Sequence, residues 1–486
     1  METKHIIALI LFSAFACGSI LATTFSQRAR DLAFLGMVSF SIFAEKFDVN
    51  FFGEYWYRGT SRGMGLSLTD VLAWSILISI WLAPSYPARR WFVPASTGCM
   101  LLYFLYCIFA TVNAMNPLFA SWELVNIPRS FLILLTGAAY LRTRRELGVL
   151  VLGLSITMFV EAVFALKQRY LGGMYRVPGT LDHANSLSMY ICTVAPVLLA
   201  AAMAEFPLWL RWIAGLGCGA ASIGVMLTIS RAGLPIYAFV MFGVAFFGST
   251  WKITRRKLFI GFSVVGVVGL VVLKSWDQIK ARYAEASLAE EYLDTNGEGR
   301  GIYFRWASAI LDDYPLGVGL NNWSYAVSKT YGPRIGFWYE DYDDIKADPD
   351  KADLPSIRYA APAHSLGALT AGELGIPGLM LFGLLWLRWF QVGVGFLWQR
   401  LNPDPIHRLG IGLLFAIGGL FLQSLTEWVY RQSTLFLMFH LLMGGLASLH
   451  YARKHARVEV WEEEPLPDDL ELEGAPAHVS AMPRRD

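Results

Sequence analysis

Long, nearly uncharged apolar runs recur along most of the chain, and they constrain the fold more than any other feature of the sequence. A helix needs about 20 apolar residues to cross the hydrocarbon core of a bilayer. About thirteen runs approach that length, and they lie at 6–24, 32–44, 66–83, 96–114, 127–141, 146–167, 184–203, 207–228, 233–249, 258–274, 366–395, 408–426 and 433–450. We therefore predict an all-α fold, a polytopic helical membrane protein with about 12–13 transmembrane helices and one large external loop.

Composition supports this class and argues against others. The chain is 55% hydrophobic and only 16% charged, whereas a soluble domain has about 25% charged residues. The apolar runs are continuous rather than alternating, which argues against a transmembrane β-barrel. No basic cluster is interleaved with aromatic residues, so nucleic-acid binding is not indicated. The run 6–24 could be a signal peptide, but the close following run and weakly basic flanks favour an uncleaved first helix.

Two further readings concern local segments. The stretch 46–65, with Tyr55, Trp56 and Tyr57, is typical of an interfacial loop that carries an aromatic belt. All five cysteines fall in apolar runs, and none has CxxC or Cys/His ligand spacing. We therefore read the cysteines as small packing residues and predict no structural or catalytic metal and no cofactor.

The distribution of Lys and Arg predicts the orientation. Basic clusters occur at 89–90, 142–145, 252–257 and 453–457, and the span assignment places all four on one side. The positive-inside rule makes that side cytoplasmic. Segments 115–126, 168–182, 229–232, 275–363 and 427–432 are then external. With thirteen spans the N-terminus is also external.

These boundaries divide the chain into five parts. We predict N-terminal transmembrane helices over 1–167, central transmembrane helices over 168–274, a large periplasmic loop subdomain over 275–363, C-terminal transmembrane helices over 364–450, and an acidic, disordered cytoplasmic tail over 451–486. The loop contains fifteen Asp or Glu and nine Lys or Arg. Aromatic residues recur through it, which favours a small folded subdomain over a linker.

External arginines are the sharpest chemical signal. Arg176, Arg231, Arg305 and Arg358 lie on the side that the positive-inside rule leaves poor in cations. A guanidinium stays charged and binds phosphate oxygens through paired hydrogen bonds, so these residues could hold an anionic headgroup. The alternative is an arginine that reaches toward lipid phosphates or caps a helix. For Arg231, in a tight turn between two apolar runs, we favour the functional reading.

His364 is the second signal, because it lies at the membrane edge directly after the long loop. A neutral imidazole can accept a proton from a hydroxyl at neutral pH. The alternative is a capping or packing histidine. Asp182 and His183 pose the same ambiguity, and Asp182 fits an N-cap for the span that follows.

Together these residues suit one kind of chemistry. Several arginines would neutralise a departing diphosphate, and His364 would deprotonate an attacking hydroxyl. No nucleotide-binding glycine loop is present, so an activated donor would come from a lipid-linked diphosphate.

Four short motifs, in order, resemble one known family. They are Arg176 with Gly179-Thr180-Leu181-Asp182-His183-Ala184-Asn185, Ser230-Arg231-Ala232-Gly233, Arg305-Trp306 with Pro315-Leu316-Gly317-Val318-Gly319, and His364-Ser365-Leu366 with Glu373-Leu374-Gly375-Ile376-Pro377-Gly378. Over roughly 170–400 the chain resembles the O-antigen ligase superfamily, which also contains polysaccharide polymerases and protein O-oligosaccharyltransferases. The chain departs from the family pattern at Ser365, where Asn is usual, and at Ala232, where Gly is common.

The resemblance implies a metal-independent, inverting transfer of a glycan from undecaprenyl diphosphate to an acceptor hydroxyl at the periplasmic face of a bacterial inner membrane. The acceptor would be a lipid A–core, a glycan or a protein hydroxyl. On this analogy His364 activates the acceptor, and Arg176, Arg231 and Arg305 bind the diphosphate or the donor. Further support would come from Asp182, His183, Asn185, Arg358 and Glu373.

Other functions stay open from sequence. Ligase, polymerase and protein glycosylation share the donor chemistry and differ in the acceptor, which the sequence does not identify. The acidic aromatic run 338–344 could contact sugars, or it could be a solvated loop. A transporter or flippase of a lipid-linked sugar would place binding residues near the bilayer midplane, and Glu161 and Glu427 are the main candidates for such a role.

Overall fold

The computed structural model describes residues 3–82, 91–249, 299–354, 356–399 and 402–455, with isolated residues between 269 and 284. Of the residues that the structure describes in this protein, 76% are helical. Its helices are α1 Thr3–Phe25, α2 Gln27–Phe40, α3 Ala44–Phe47, α4 Leu68–Leu82, α5 Thr97–Val112, α6 Pro117–Tyr140, α7 Arg144–Tyr170, α8 Ala184–Met203, α9 Leu208–Thr228, α10 Gly233–Gly248, α11 Ile302–Asp313, α12 Trp323–Ala326, α13 Gly332–Arg334, α14 Tyr342–Ala347, α15 Leu366–Val394, α16 Pro405–Ser424 and α17 Ser433–His455.

Short elements complete the described fold. They are 3-10 turns at Ser41–Phe43, Pro349–Asp353, Leu397–Gln399 and Val429–Arg431, a π turn at Val327–Tyr331, and strands β1 Val49–Phe51 and β2 Met64–Leu66. The two strands form one antiparallel hairpin in which Val49 pairs with Leu66.

Eight described helices are long and apolar enough to cross a membrane, namely α1, α6, α7, α8, α9, α15, α16 and α17. Three shorter apolar helices, α4, α5 and α10, join them. The predicted all-α polytopic fold is confirmed. Each predicted run overlaps a described helix except 258–274, which lies outside the described residues apart from Gly269 and Leu273.

Local capping explains where helices extend beyond their apolar runs. The run at 127–141 belongs to α6, which begins at Pro117 because the side chain of Asn116 accepts hydrogen bonds from the backbone of Leu118 and Phe119. At α7, Thr143 and Glu146 form a reciprocal capping box. Such caps satisfy backbone N–H groups that lack partners inside the helix.

Two of the three aromatic residues that were predicted to form an interfacial belt in the segment 46–65 lie inside the protein. Trp56 and Tyr57 are buried, and the Tyr57 ring stacks on Phe119 at 4.1 Å between ring centroids. Tyr342 of α14 lies 4.9 Å from Tyr57 by the same measure. Only Tyr55 is exposed among the three predicted belt residues. The hairpin region therefore joins α6 to the segment after α11 through an aromatic core.

The two predicted basic clusters that the structure describes, at 142–145 and 453–455, lie at one end of the helix bundle. The guanidinium of Arg142 lies over the rings of Phe92 and Tyr451 at 4.4 and 5.0 Å. At the same end Arg453 donates a hydrogen bond to the carbonyl of Gly395, the residue directly after α15. His364 lies just before the first residue of α15, at the opposite end of that helix from Gly395, so the length of α15 separates these two basic clusters from His364. The predicted clusters at 89–90 and 252–257 lie outside the described residues.

The described part of the long loop, 299–363, is folded. Trp306 of α11 and Trp323 of α12 are almost fully buried. In the acidic aromatic run, Asp341 caps α14, Tyr342 is buried, and Asp343 pairs with Lys329. Trp338 remains 75% exposed. Part of the run that could contact sugars is therefore structural, whereas Trp338 and Asp344 stay exposed.

Candidate active site

His364 lies at the mouth of the helix bundle, one residue before the N-cap of α15. Ser365 caps that helix, since its Oγ accepts a hydrogen bond from the backbone of Ala368 at 3.3 Å. The His364 side chain is 37% exposed. Its Nδ1 lies 2.8 Å from Oε2 of Glu427. The imidazole is thus anchored on one nitrogen and open to solvent.

Glu427 is a buried carboxylate in the turn between α16 and α17. Besides His364 it accepts a hydrogen bond from Nδ2 of Asn185 at 2.5 Å and pairs with Nη2 of Arg300 at 2.8 Å. Burial raises the pKa of Glu427, but the hydrogen bond from His364 and the charge of Arg300 outweigh it, and the pKa lies below its ordinary value. Glu427 is therefore an anion held by three cationic or donating neighbours, His364, Asn185 and Arg300.

Arg300 connects the folded loop to this carboxylate. It lies just before α11, and its Nη1 also donates to the backbone carbonyl of Thr426. A guanidinium that contacts both a carboxylate and a neighbouring carbonyl fixes two chain segments relative to each other. The start of α11 is thereby held against the turn that carries Glu427.

Arg176 reaches the same network through Asn185 of α8. Its Nη2 donates to Oδ1 of Asn185 at 2.6 Å, and its Nε donates to the carbonyl of Thr228 at 3.3 Å. Ser230 donates to the same Asn185 oxygen at 3.2 Å. Asn185 therefore links Arg176 and the turn 229–232 to Glu427 and, through it, to His364.

The turn between Arg176 and α8 is fixed by two side chains of α7. The backbone N–H of Thr180 donates to Oε2 of Glu161 at 3.0 Å. Gln168 exchanges two hydrogen bonds with the backbone of Gly179, at 2.7 and 2.9 Å. Gly179 has φ +66°, and a Cβ there would lie 2.1 Å from the Glu161 carboxylate. Glu161 thus has a structural role in supporting this turn, which accounts for its charge without a role in transport.

The remaining predicted residues fall into three groups. Arg231 lies half-buried in the turn after Ile229, whose φ is +49°, and it follows directly on Ser230. Arg305 and Arg358 are exposed on the loop subdomain. Asp182 and His183 are also exposed, and the predicted N-cap at Asp182 is wrong because His183 occupies the N-cap of α8, without a side-chain hydrogen bond.

Glu373 belongs to a second buried cluster centred on Arg431. Arg431 Nε lies 2.9 Å from Oε1 of Glu123, and its Nη1 lies 2.5 Å from Oε2 of Glu373. A cavity of about 40 Å³ adjoins this cluster, lined by Met100, Tyr103, Glu123, Ile127, Ser130, Leu320, Leu366, Thr370, Leu374, Phe382, Leu385, Tyr430, Arg431, Phe436 and His440. Neither His364 nor any of the predicted arginines lines this cavity.

Two of the sequence motifs contact each other directly. Val318 N–H donates to the carbonyl of Gly372 at 3.0 Å, and Gly319 N–H donates to that of Glu373 at 2.8 Å. Gly317 and Gly375 have φ +82° and +66°. A Cβ on Gly317 would lie 2.4 Å from the Glu373 carbonyl, so the close approach requires glycine. The loop subdomain is thus docked on α15 at Gly372 and Glu373.

Sequence reasoning missed the roles of Glu427 and Arg300. From sequence, Glu427 was a candidate only for a transport role, and Arg300 was part of a polar segment. Neither lies near His364 in the chain, since Glu427 follows it by 63 residues. No local spacing could have paired them.

No group of three or more His, Cys, Asp or Glu side chains is placed to hold a metal ion within the part of the chain that the structure describes. The chemistry available at the site is proton transfer and anion binding. When Nδ1 of His364 carries its proton and donates to Glu427, the other ring nitrogen is an acceptor.

A comparison of the chain with models of protein families identifies one family that it resembles. Residues 216–383 match the O-antigen ligase family. The resemblance seen in the motifs is confirmed. The matched O-antigen ligase segment contains Arg231, Arg305 and His364, whereas Arg176 and Asn185 precede it and Glu427 follows it. No curated protein matches the chain.

The O-antigen ligase family implies ligase-type or polymerase-type glycosyltransferase activity, with a lipid-linked glycan and a glycan acceptor as partners. The helices and the family together indicate a multi-pass membrane protein.

Proposed function

We propose that this protein is an O-antigen ligase-like glycosyltransferase that moves a glycan from undecaprenyl diphosphate to an acceptor hydroxyl at the periplasmic face of the bacterial inner membrane. The observation that carries the proposal is the pairing of His364 with the buried carboxylate of Glu427, linked through Asn185 to Arg176. An oriented base next to a phosphate-binding cation suits this transfer.

The acceptor half of the reaction belongs to His364. Its free ring nitrogen takes the proton from the acceptor hydroxyl as the oxygen attacks the anomeric carbon of the donor. Glu427 stabilises the imidazolium that forms and keeps the ring in one orientation. Because the carboxylate is itself paired with Arg300, it remains an anion during this step.

The donor half belongs to the arginines. As the bond between the anomeric carbon and the diphosphate oxygen breaks, the electron pair leaves with the diphosphate. Arg176 and Arg231 neutralise the charge that develops there, and Arg305 assists from the loop side. Arginine cations can supply this stabilisation without a metal, and a single displacement by the acceptor oxygen inverts the anomeric carbon. Asp182, His183 and Arg358 contribute at the rim of the same site.

The arrangement of the bundle supports an outward-facing site. Arg142 and Arg453 contact residues at the end of the bundle opposite to His364. The positive-inside bias favours a cytoplasmic position for that basic end, which supports a periplasmic position for His364 and the arginine network.

The test is transfer by purified protein in vitro. Wild type, His364→Ala and Arg231→Ala would receive an undecaprenyl-diphosphate-linked oligosaccharide with and without lipid A–core, and products would be sized by mass spectrometry. We expect core-linked glycan from wild type and a roughly 100-fold to 10,000-fold slower reaction in His364→Ala, since general-base catalysis contributes about that much. His455→Ala is a control for the histidine, because His455 lies far from the site. Arg334→Ala is a control for the arginine, because Arg334 lies in an exposed ion pair.

The product identifies the acceptor class. Longer lipid-linked glycans formed without lipid A–core would indicate a polymerase that uses the same residues. Glycan transferred only to a protein hydroxyl would indicate protein glycosylation. Normal transfer by both His364→Ala and Arg231→Ala would refute the site, and an intact donor moved across a vesicle bilayer would favour a transporter.

A further inference from the structure

Tyr303 is an unassigned aromatic side chain that touches the candidate base directly. It lies on α11, and its ring centroid is 5.7 Å from that of His364, with the two rings tilted by 51°. Arg300, which pairs with Glu427, lies one helical turn earlier. Tyr303 contacts the imidazole itself, whereas Arg176, Asn185 and Arg300 reach it through Glu427.

The Tyr303 ring packs against a second aromatic side chain of α11. Trp306, one turn further along α11, lies 5.8 Å away by ring centroids and is almost fully buried. Trp306 in turn contacts Phe337 and Tyr339 of the following segment. These aromatic contacts order the Tyr303 side chain in the absence of a ligand. Little side-chain entropy is therefore lost when a ligand binds.

The Tyr303 hydroxyl is available to hydrogen-bond a ligand. No hydrogen bond to it is formed by any group within the described ranges, and the residue is only partly buried. Burial, opposed by the charge of Arg300, raises the pKa of Tyr303 to about 12. The phenol therefore stays neutral at physiological pH and can both donate and accept a hydrogen bond.

We propose that Tyr303 forms an acceptor-sugar subsite, in which its ring stacks on the sugar whose hydroxyl is presented to His364 and its phenol hydrogen-bonds a neighbouring hydroxyl. This inference rests on the proposed glycosyl transfer and specifies how the acceptor is held. Aromatic faces suit the apolar faces of sugar rings, and a sugar offers the alternating hydroxyls that a neutral phenol can bind. The donor diphosphate takes the arginine side of the network, which leaves the face beside Tyr303 to the acceptor.

The test separates acceptor binding from donor binding. Acceptor KM for lipid A–core would be measured at saturating donor, and donor KM at saturating acceptor, in wild type, Tyr303→Phe and Tyr303→Ala. Loss of one neutral hydrogen bond predicts an acceptor KM about threefold to tenfold higher in Tyr303→Phe. Loss of stacking as well predicts a rise of roughly 10-fold to 100-fold in Tyr303→Ala. Donor KM and the pH–rate profile should not change.

Tyr314→Phe is the matched control, because Tyr314 is an exposed tyrosine at the C-terminal end of the same helix. Unchanged acceptor KM in both Tyr303 variants would overturn the proposal. So would a rise confined to donor KM, or a lower kcat with a shifted pH profile, which would mean that Tyr303 only orients His364. Thermal unfolding of Tyr303→Phe, which keeps the ring, checks that the fold is intact.

Failure of the underlying function would look different. If wild type transfers nothing, the proposed reaction is refuted, and direct binding of lipid A–core to wild type and Tyr303→Phe still decides the subsite. Weaker binding by the variant supports an acceptor site, and equal binding overturns it.

Discussion

Nδ1 of His364 lies 2.8 Å from the Glu427 carboxylate, across the mouth of the bundle between the start of α15 and the turn before α17. The two residues come from different helix ends, so their contact depends on how α15, α16 and α17 pack. It selects the tautomer of His364 that leaves the other nitrogen free to accept a proton. This pair is the centre of the candidate site.

Replacement of the carboxylate tests that pair. In Glu427→Gln we expect kcat to fall by about 100-fold or more, because the amide cannot stabilise the imidazolium and can favour the wrong tautomer. Steady-state kinetics at saturating donor and acceptor measure this effect.

The lowered pKa of Glu427 also predicts the sign of a pH effect on folding stability, which thermal unfolding from acid to neutral pH measures. A carboxylate with a depressed folded-state pKa stabilises the fold above its ordinary pKa and loses that contribution as the pH falls through the folded-state value. The wild-type pair is therefore intact at neutral pH. Asp343→Asn, in an exposed pair with Lys329, is the control. Wild-type kinetics in Glu427→Gln would contradict the role of the pair.

The docking of the loop on α15 predicts an effect far from any reacting atom. Gly317→Ala should destabilise the fold by roughly 1–3 kcal/mol, because it adds both a positive-φ strain and a close contact with the Glu373 carbonyl. Displacement of the loop would also move Arg300 and Tyr303, so transfer should weaken. Thermal unfolding in detergent and the transfer assay measure the two consequences.

Gly336→Ala separates strain from contact. Gly336 has φ +90°, similar to Gly317, but a Cβ there meets no atom within 4 Å. We expect a smaller loss of stability and normal transfer. Equal losses in the two variants would show that backbone strain alone matters and that the contact between the motifs does not hold the loop.

The orientation can be measured in intact cells. In a cysteine-free background, Asp350→Cys on the loop subdomain should react with a membrane-impermeant maleimide. Asp404→Cys, which pairs with Arg144 at the basic end, should react only after the membrane is permeabilised. The reverse pattern would contradict a periplasmic site and, with it, a lipid-linked donor presented from that side.

Several features were predictable because they depend on short stretches of chain. The apolar runs located the long and the shorter apolar helices, since hydropathy over about 20 residues decides membrane insertion. The turn at 229–232 followed from its polar residues between two such runs. The boundary of α6 was less accessible, because Glu123 and Arg129 interrupt its apolar pattern and find buried partners only in the fold.

Long-range contacts account for what the sequence left out. From sequence, Trp56 and Tyr57 are typical of membrane-interface aromatic residues. In the structure they are buried in an aromatic core with Phe119 and Tyr342. Likewise, Glu373 resembles a site residue in its motif, but its ion pair with Arg431 places it in a separate structural cluster.

The sequence by itself determined the helical membrane scaffold, the arginine-bearing turns and the position of His364 at a helix start, since each of these is a property of neighbouring residues. The tertiary structure alone decided that Glu427 pairs with that histidine, that Arg300 and Asn185 hold Glu427 in place, and that Tyr303 lies against the imidazole. Hydrogen bonds and ion pairs act over about 3 Å, so they join residues only after distant helix ends have been packed together.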